Sequence, residues 1–395
     1  MSDGTAASPA ADFDPVDFLA DAVQIESHES PDAMREYLLE TLSDHGAEPW
    51  VDNAGNVRAT RCAADASAAA QGPHLVCNTH IDTVPPHVDC RRDTDDEGNE
   101  VVRGRGACDA KGPLAALLAG FLAVEPTRGR VTLAVTSDEE TLSTGADALV
   151  RGREDDHPDG PVAPVDGDLF IVGEPTDCDV CVAARGRFEG TLTLTGSAAH
   201  AAEPDSGVNA VAALEPALAA IRRFDDGAEA HPMLGEPTLV ATGATGGEAT
   251  NQVPASATIT LDRRSVPPET AEGFRASLEA AVREAVADDV GVAFDLTARP
   301  TPFLEAFDTD PDHPLVAAVS GAASAVGGTA DGEVRPFGAA TEASYFSPAP
   351  TVVFGPGHLA DEAGAVAHSE REYVRVDRVR DAAGTARRAL DELLG

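Results

Sequence analysis

The sequence predicts an α/β fold in which a largely parallel sheet, layered with helices, is interrupted by a smaller inserted domain. Three observations carry this. Apolar strand-like segments alternate with helical patterns over residues 1–182. The order changes to β-α-β-β-α-β over residues 183–299, and the first rhythm returns over residues 300–395. A chain of 395 residues has room for two domains. The outer segments are therefore read as one discontinuous domain and the middle one as an insertion.

Asp14-Pro15 opens a capped helix with Phe18, Leu19, Ala22 and Val23 on one face. Ser30-Pro31 opens a second, with Met34, Leu38 and Leu42 inward and Gly46 as its stop. Strands are expected around Trp50–Val51 and Val57–Thr60, parted by Asn53-Ala54-Gly55-Asn56. Apolar runs at Leu75–Thr79, Val131–Thr136 and Phe170–Val172 then alternate with helices from Pro113 and near Ala146. The stretch from Gly152 to Gly167, rich in Asp, Pro and Gly, reads as a surface loop. In the insertion, Leu192 and Leu194 alternate with threonines at strand period. A helix from Gly207 to Phe224, strands near Thr238–Thr242 and Ala257–Asp262, a helix from Glu269 to Ala287 and a strand at Val292–Leu296 follow. That order is the ferredoxin-like split βαβ unit. A helix near Leu315, a strand at Thr351–Phe354 and a last helix from Asp377 return to the outer domain.

Acids number 68 against 28 lysines and arginines, giving a formal net charge of −40, and Lys111 is the only lysine. Acid excess with a single lysine, 4% aromatic content and many small residues form the balance of a halophilic, cytoplasmic protein. Such a surface repels nucleic acid and anionic membrane, which removes both as partners. Hydrophobic residues at 43%, in periodic runs, argue against an acidic disordered chain. Met1 to Asp14 lacks the basic start and apolar run of a secretory leader. The longest apolar run, Leu114 to Val124, is too short to span a bilayer. The six cysteines are then expected as thiols. Cys178-Asp-Val-Cys181 has zinc or redox spacing without a second pair and reads as incidental.

Five Gly- or Pro-punctuated segments carry the chemistry. They are His80-Ile81-Asp82, Gly104-Arg105-Gly106-Ala107-Cys108-Asp109, Ser137-Asp138-Glu139-Glu140-Thr141, Gly173-Glu174-Pro175 and Ala367-His368-Ser369-Glu370-Arg371-Glu372. Several follow expected strands, at the sheet edge where α/β folds bind ligands. Carboxylates with two imidazoles suit zinc, cobalt or manganese better than magnesium alone. Two neighbouring dications repel, so a bridging carboxylate is needed, and Asp109 is the candidate. Asp82, two residues beyond His80, is placed to accept the other imidazole N–H. Glu139 and Glu140 are adjacent, so they diverge and need not share a task.

Together, in this order, the segments resemble the M20 family of metallopeptidases and N-acyl-amino-acid deacylases. The acetylornithine deacetylase and succinyl-diaminopimelate desuccinylase group looks nearest. The resemblance covers nearly the whole chain, and it implies a metal-binding catalytic domain interrupted by a dimerisation or lid domain of a homodimer. It implies that His80 and Glu174 hold one of two divalent ions, zinc foremost with cobalt or manganese as alternatives. Glu140 and His368 would hold the other. Glu139 would be the general base that takes a proton from the attacking water and returns it to the leaving amine. In the insertion, Gly196-Ser197-Ala198-Ala199-His200 looks like the segment whose histidine reaches the partner's site and hydrogen-bonds the oxyanion. Asn251 and Arg264, or its neighbour Arg263, resemble the residues that hold the substrate carboxylate, a task suited to the planar Arg fork. Gly355-Pro356-Gly357 resembles a turn lining the substrate site. Many relatives carry Met where Ala110 stands.

The implied reaction is hydrolysis of the amide of an N-acyl amino acid. Asp138-Glu139-Glu140-Thr141, Gly207-Val208-Asn209 and Thr341-Glu342-Ala343 lean toward acetylornithine deacetylase, an amino-acid biosynthetic activity. Succinyl-diaminopimelate desuccinylase of lysine biosynthesis stands second, and a dipeptidase or carboxypeptidase third. An inactive metal-binding scaffold is the non-enzyme alternative, which the presence of Asp82 and Glu139 disfavours.

Overall fold

The computed structural model describes residues 13–154, 157–326 and 332–395. The leader-free reading of the N-terminus rests on residues 1–12, which lie outside that set. By contacts the chain forms two compact units, Met1–Val182 with Asp308–Gly395, and Ala183–Phe307.

The first unit is built on a mixed nine-stranded sheet. Its centre is parallel: Arg130–Thr136, His74–His80, Leu169–Val172 and Thr351–Val353 lie side by side. Trp50–Val51 and Val57–Cys62 extend one end antiparallel, and Val180–Ala184 extends the other. Parallel strands carry helices on both faces and so must be buried throughout; His74–His80 is buried at every position. The helix Lys111–Ala123 packs against Pro15–Gln24 and Val376–Leu394, which is why it is buried nearly all round. Asp14 caps Pro15–Gln24 by accepting the Val16 and Asp17 N–H groups at 2.8 and 3.2 Å.

Two features carry no apolar periodicity and were not expected. Arg91–Thr94, Glu100–Arg103 and Tyr373–Arg375 form a small antiparallel sheet, in which Arg91–Thr94 is exposed throughout. The helix Ala66–Gln71 buries none of its residues. Among the described residues, no helix is long and apolar enough to cross a membrane.

The second unit holds an antiparallel sheet in the order Thr238–Gly246, Ser256–Ser265, Gly186–Thr195, Gly291–Leu296. This is the split βαβ order. Leu214–Arg222 and Ala271–Ala285 supply Ile221, Phe274 and Leu278 to a core shared with Phe188, Leu192, Ile259 and Phe294. The helix expected from Gly207 begins only at Leu214. Val208 pairs with Ser197, and Asn209 Oδ1 accepts the Ala212 N–H at 3.1 Å, so turn chemistry takes the preceding residues. The edge strand runs to Gly246 rather than Thr242; it is exposed at every position but Leu239 and carries no charge.

A buried histidine sets an acid limit on the first unit. His74 Nδ1–H donates to the Asp166 carbonyl, and Nε2 accepts from Thr132 Oγ1 at 2.8 Å. Burial holds its pKa below the ordinary 6.5. The unfolded chain therefore takes up this proton first. The contribution is complete above about pH 6.5 and is lost as pH falls toward the folded-state value, at up to ~1.4 kcal/mol per pH unit. His74→Gln is expected to remove one proton's worth of slope from stability against pH below 6.5. An unchanged slope in denaturant titrations would sink this reading.

Candidate functional site

The site residues of the first unit gather at the carboxyl ends of its parallel strands. His80 ends His74–His80, Glu139 and Glu140 follow Arg130–Thr136, and Glu174 follows Leu169–Val172. Asp109 arrives on the loop before Lys111–Ala123, and His368 on the segment before Tyr373–Arg375.

Two groups of candidate ligand atoms result: His80, Asp109 and Glu174, and Asp109, Glu140 and His368, each with all its atoms within 4.8 Å of one another. Asp109 belongs to both. Its Oδ1 lies 3.4 Å from His80 Nε2, and its Oδ2 lies 3.1 Å from His368 Nε2. His368 Nε2 is also 3.1 Å from Glu140 Oε1. His80 Nε2 is buried and makes no hydrogen bond. A buried ring nitrogen without a partner is costly unless a cation takes its lone pair, so the donor set fits divalent metal. Glu139 belongs to neither group.

The charges are those of a pocket built around positive charge. Burial pushes the Glu139 carboxyl well above the usual range; His80 opposes this, while Glu174, Glu342 and Glu140 add to it. Burial, then Asp109, drive Glu174 up to about 8. His368 rises to about 10 because Asp109 and Glu140 hold its proton. Burial alone would raise Asp109, yet the imidazoles of His368 and His80 beside it hold it well below the usual range.

Several side chains fix this geometry. Asp82 Oδ1 lies 3.3 Å from His80 Nδ1, whose nearer acceptor is the Asp82 carbonyl at 3.1 Å. The same carboxylate accepts the Glu139 and Glu140 N–H groups at 3.2 and 3.0 Å, so Asp82 also clips that turn. Glu372 accepts the N–H groups of Cys108 and Asp109 at 3.1 and 3.2 Å, and Arg105 Nη1 at 2.6 Å. Glu342, also fully buried, accepts from Thr136 Oγ1 at 2.8 Å, while Thr341 Oγ1 donates to Glu174 at 2.9 Å. The roles of Glu372, Glu342 and Thr341 were missed. All three stood in quoted segments, but nothing in the sequence named their partners.

Lys111 does not reach the ligands. Its buried ammonium donates to Ala22 O at 3.0 Å and Ile25 O at 2.6 Å, at the carbonyl end of Pro15–Gln24. Gly106 and Gly357 have φ of +85° and +94°, and a Cβ would lie 3.0 Å from Lys111 Cδ and 2.6 Å from Cys108 Cβ respectively. Cys178 and Cys181 are free thiols aimed at the Arg378 and Pro336 carbonyls.

In the second unit, His200 is exposed on a short ladder with Gln252, and Asn251 O accepts the Ala201 N–H at 3.0 Å. His200 Nδ1 accepts the Ala202 N–H at 3.1 Å, which puts the neutral ring's proton on Nε2. Arg263 is buried between Phe224 and Phe274 and gripped by Asp225 and Glu269. Arg264 faces the other side of the strand, partly exposed, 2.8 Å from Asp262.

Residues 76–392 match the description Peptidase family M20/M25/M40. A putative [LysW]-lysine/[LysW]-ornithine hydrolase of Pyrobaculum aerophilum is 32% identical over 380 residues, covering 95% of this chain and 97% of that one. A succinyl-diaminopimelate desuccinylase of Granulibacter bethesdensis is 31% identical over 345 residues, covering 82% and 84%. Among solved structures, the aminopeptidase PepT of Bacillus cereus superposes with a TM-score of 0.73 at 19% identity, over 96% of this chain and 98% of that one. The family match spans most of the chain and both relatives are 31% identical or more over most of their length, so the chain belongs to the M20 family as an amide-bond hydrolase.

Proposed function

We propose that the chain hydrolyses the amide of an N-acyl amino acid with two divalent ions, zinc foremost. The observation that carries this is Asp109, shared by two ligand groups beside a carboxylate, Glu139, that belongs to neither. Ions bound there would acidify a water and polarise the amide carbonyl. Glu139 takes the water's proton and delivers it to the leaving nitrogen, and Asp82 holds the tautomer of His80. Arg264, with Asn251, is assigned to the substrate carboxylate, because Arg263 is already committed to Asp225 and Glu269. His200, with its proton on Nε2, is assigned to the developing oxyanion of the partner subunit's substrate.

The names of the two relatives both point to amino acids carrying a second amine. An N-acylated ornithine or lysine is therefore favoured, and N-succinyl-diaminopimelate is the second reading. Hydrolysis of N-acetylornithine, N-acetyl-lysine, N-succinyl-diaminopimelate and dipeptides, with metal restored after chelation, tests this. Turnover of dipeptides alone would refute the deacylase assignment.

The homodimer is proposed through Thr238–Gly246. Edge strands are commonly protected by charge, above all lysine, and this one is uncharged in a chain of net charge −40. Val240→Lys with Thr242→Lys is expected to yield monomers in sedimentation; an unaffected dimer would place the interface elsewhere.

Cytoplasmic residence and adaptation to salt are inferred from composition. Carboxylate self-repulsion is screened over roughly 30 Å at 0.01 M salt but about 3 Å at 1 M. Melting temperature should climb toward molar salt, and a flat profile would count against salt adaptation.

A further inference from the structure

The segment that carries His368 is strapped from outside the site. Leu359 O accepts the Val366 and Ala367 N–H groups at 2.9 and 3.2 Å, closing the hairpin of Ala360–Asp361 with Gly364–Ala365. Arg371 fills that hairpin. Its Nε donates to Ala365 O at 2.9 Å and its Nη2 to Gly364 O at 2.7 Å. The fork grips Asp361 through Nη1 at 2.9 Å and through Nη2. Tyr373 Oη adds a bond to Asp361 Oδ2 at 3.1 Å.

His368 lies between the hairpin and Arg371, at φ +62°. A non-glycine residue holds that conformation when its surroundings over-determine it. The other ligands are fixed by different means. His80 ends a fully buried strand, Thr341 bonds Glu174, and Glu372 holds the Asp109 backbone. The strap therefore bears on one ligand group and not the other.

We propose that Arg371 and Asp361 are positioning residues for one of the two ion positions, that of Asp109, Glu140 and His368. They hold His368 in its left-handed conformation, so that releasing the strap weakens this position and spares the one at His80 and Glu174. The inference rests on the two-ion reading proposed above.

Zinc titration of chelated protein by calorimetry, with metal analysis after gel filtration, tests it on the wild type, Arg371→Met, Arg371→Lys and Asp361→Asn, with His368→Ala as reference. The wild type is expected to take up two equivalents. Arg371→Met and Asp361→Asn should keep one at wild-type affinity and bind the other at least tenfold more weakly, as His368→Ala does. Arg371→Lys, which keeps the charge but not the fork, should fall between. It also keeps the test decisive if Arg371→Met does not melt cooperatively. Two unchanged equivalents in cooperatively melting variants overturn the strap, as does equal weakening of both. A wild type that binds fewer than two equivalents overturns the two-ion reading itself.

Discussion

Glu139→Gln is expected to lower turnover by on the order of 10²–10⁴-fold, the usual effect of losing a general base, while metal uptake stays at the wild-type level. The two halves of that result come from one geometric fact. Glu139 lies outside both ligand groups, yet it interacts electrostatically with His80, Glu174 and Glu140. Glutamine keeps the shape and the backbone N–H that Asp82 accepts, so the turn should persist, but its amide cannot take a proton. Metal analysis beside single-turnover kinetics separates the outcomes. If Glu139→Gln stripped an ion while Glu140→Gln did not, the two adjacent glutamates would have exchanged roles.

Asp109→Ala is expected to remove both ions and bring hydrolysis to background, in contrast to the single position lost with His368→Ala. Asp109 is the only residue common to the two groups. As a carboxylate shared by both groups, it would also offset the repulsion between two ions held there. Two unit charges 4 Å apart at an effective dielectric near 20 repel by about 4 kcal/mol, and doubly charged ions by roughly four times that. A chain with Asp109→Ala that retained even one tightly held equivalent would show that the ligand groups are independent, with no shared carboxylate required.

The parts of the molecule legible in the sequence were those whose chemistry restricts the residue at a fixed place. The alternation of Leu192 and Leu194 with threonines marks a strand covered by helices on one face, and the buried run ending at His80 marks a parallel strand. His80, Asp109, Glu140, Glu174 and His368 could be named because their segments resemble those of the M20 family, and the fold brings these five side chains together at strand ends and loops. What stayed hidden depends on partners distant in the chain. Glu372 was an unremarked acid until Asp109, 263 residues away, was seen to donate its N–H to it. Glu342 meets Thr136 across 206 residues in the same way. Lys111, the only lysine, stands two residues from Asp109 in the sequence, yet its ammonium caps a helix. Arg263 and Arg264 could not be told apart in one dimension; the two faces of a strand separate them. Arg91–Thr94 was invisible because a fully exposed strand has no apolar rhythm to read.

The closure of the Asp109 loop by Glu372 fixes an order of events during biosynthesis. Contacts so far apart in sequence form late, because the entropy of closing the intervening chain precedes any reward. At about 5–20 residues per second of translation, residues 110–372 need on the order of ten to fifty seconds to follow Asp109. Once Glu174 has been made, His80, Asp109, Glu140 and Glu174 wait without His368 and without the Glu372 carboxylate that shapes the Asp109 loop. No part of the chain shorter than residues 80–368 contains both ligand groups. Both proposed ligand groups can thus be complete only after His368 has been synthesised, and until then the carboxylates of these loops repel one another with no cation between them.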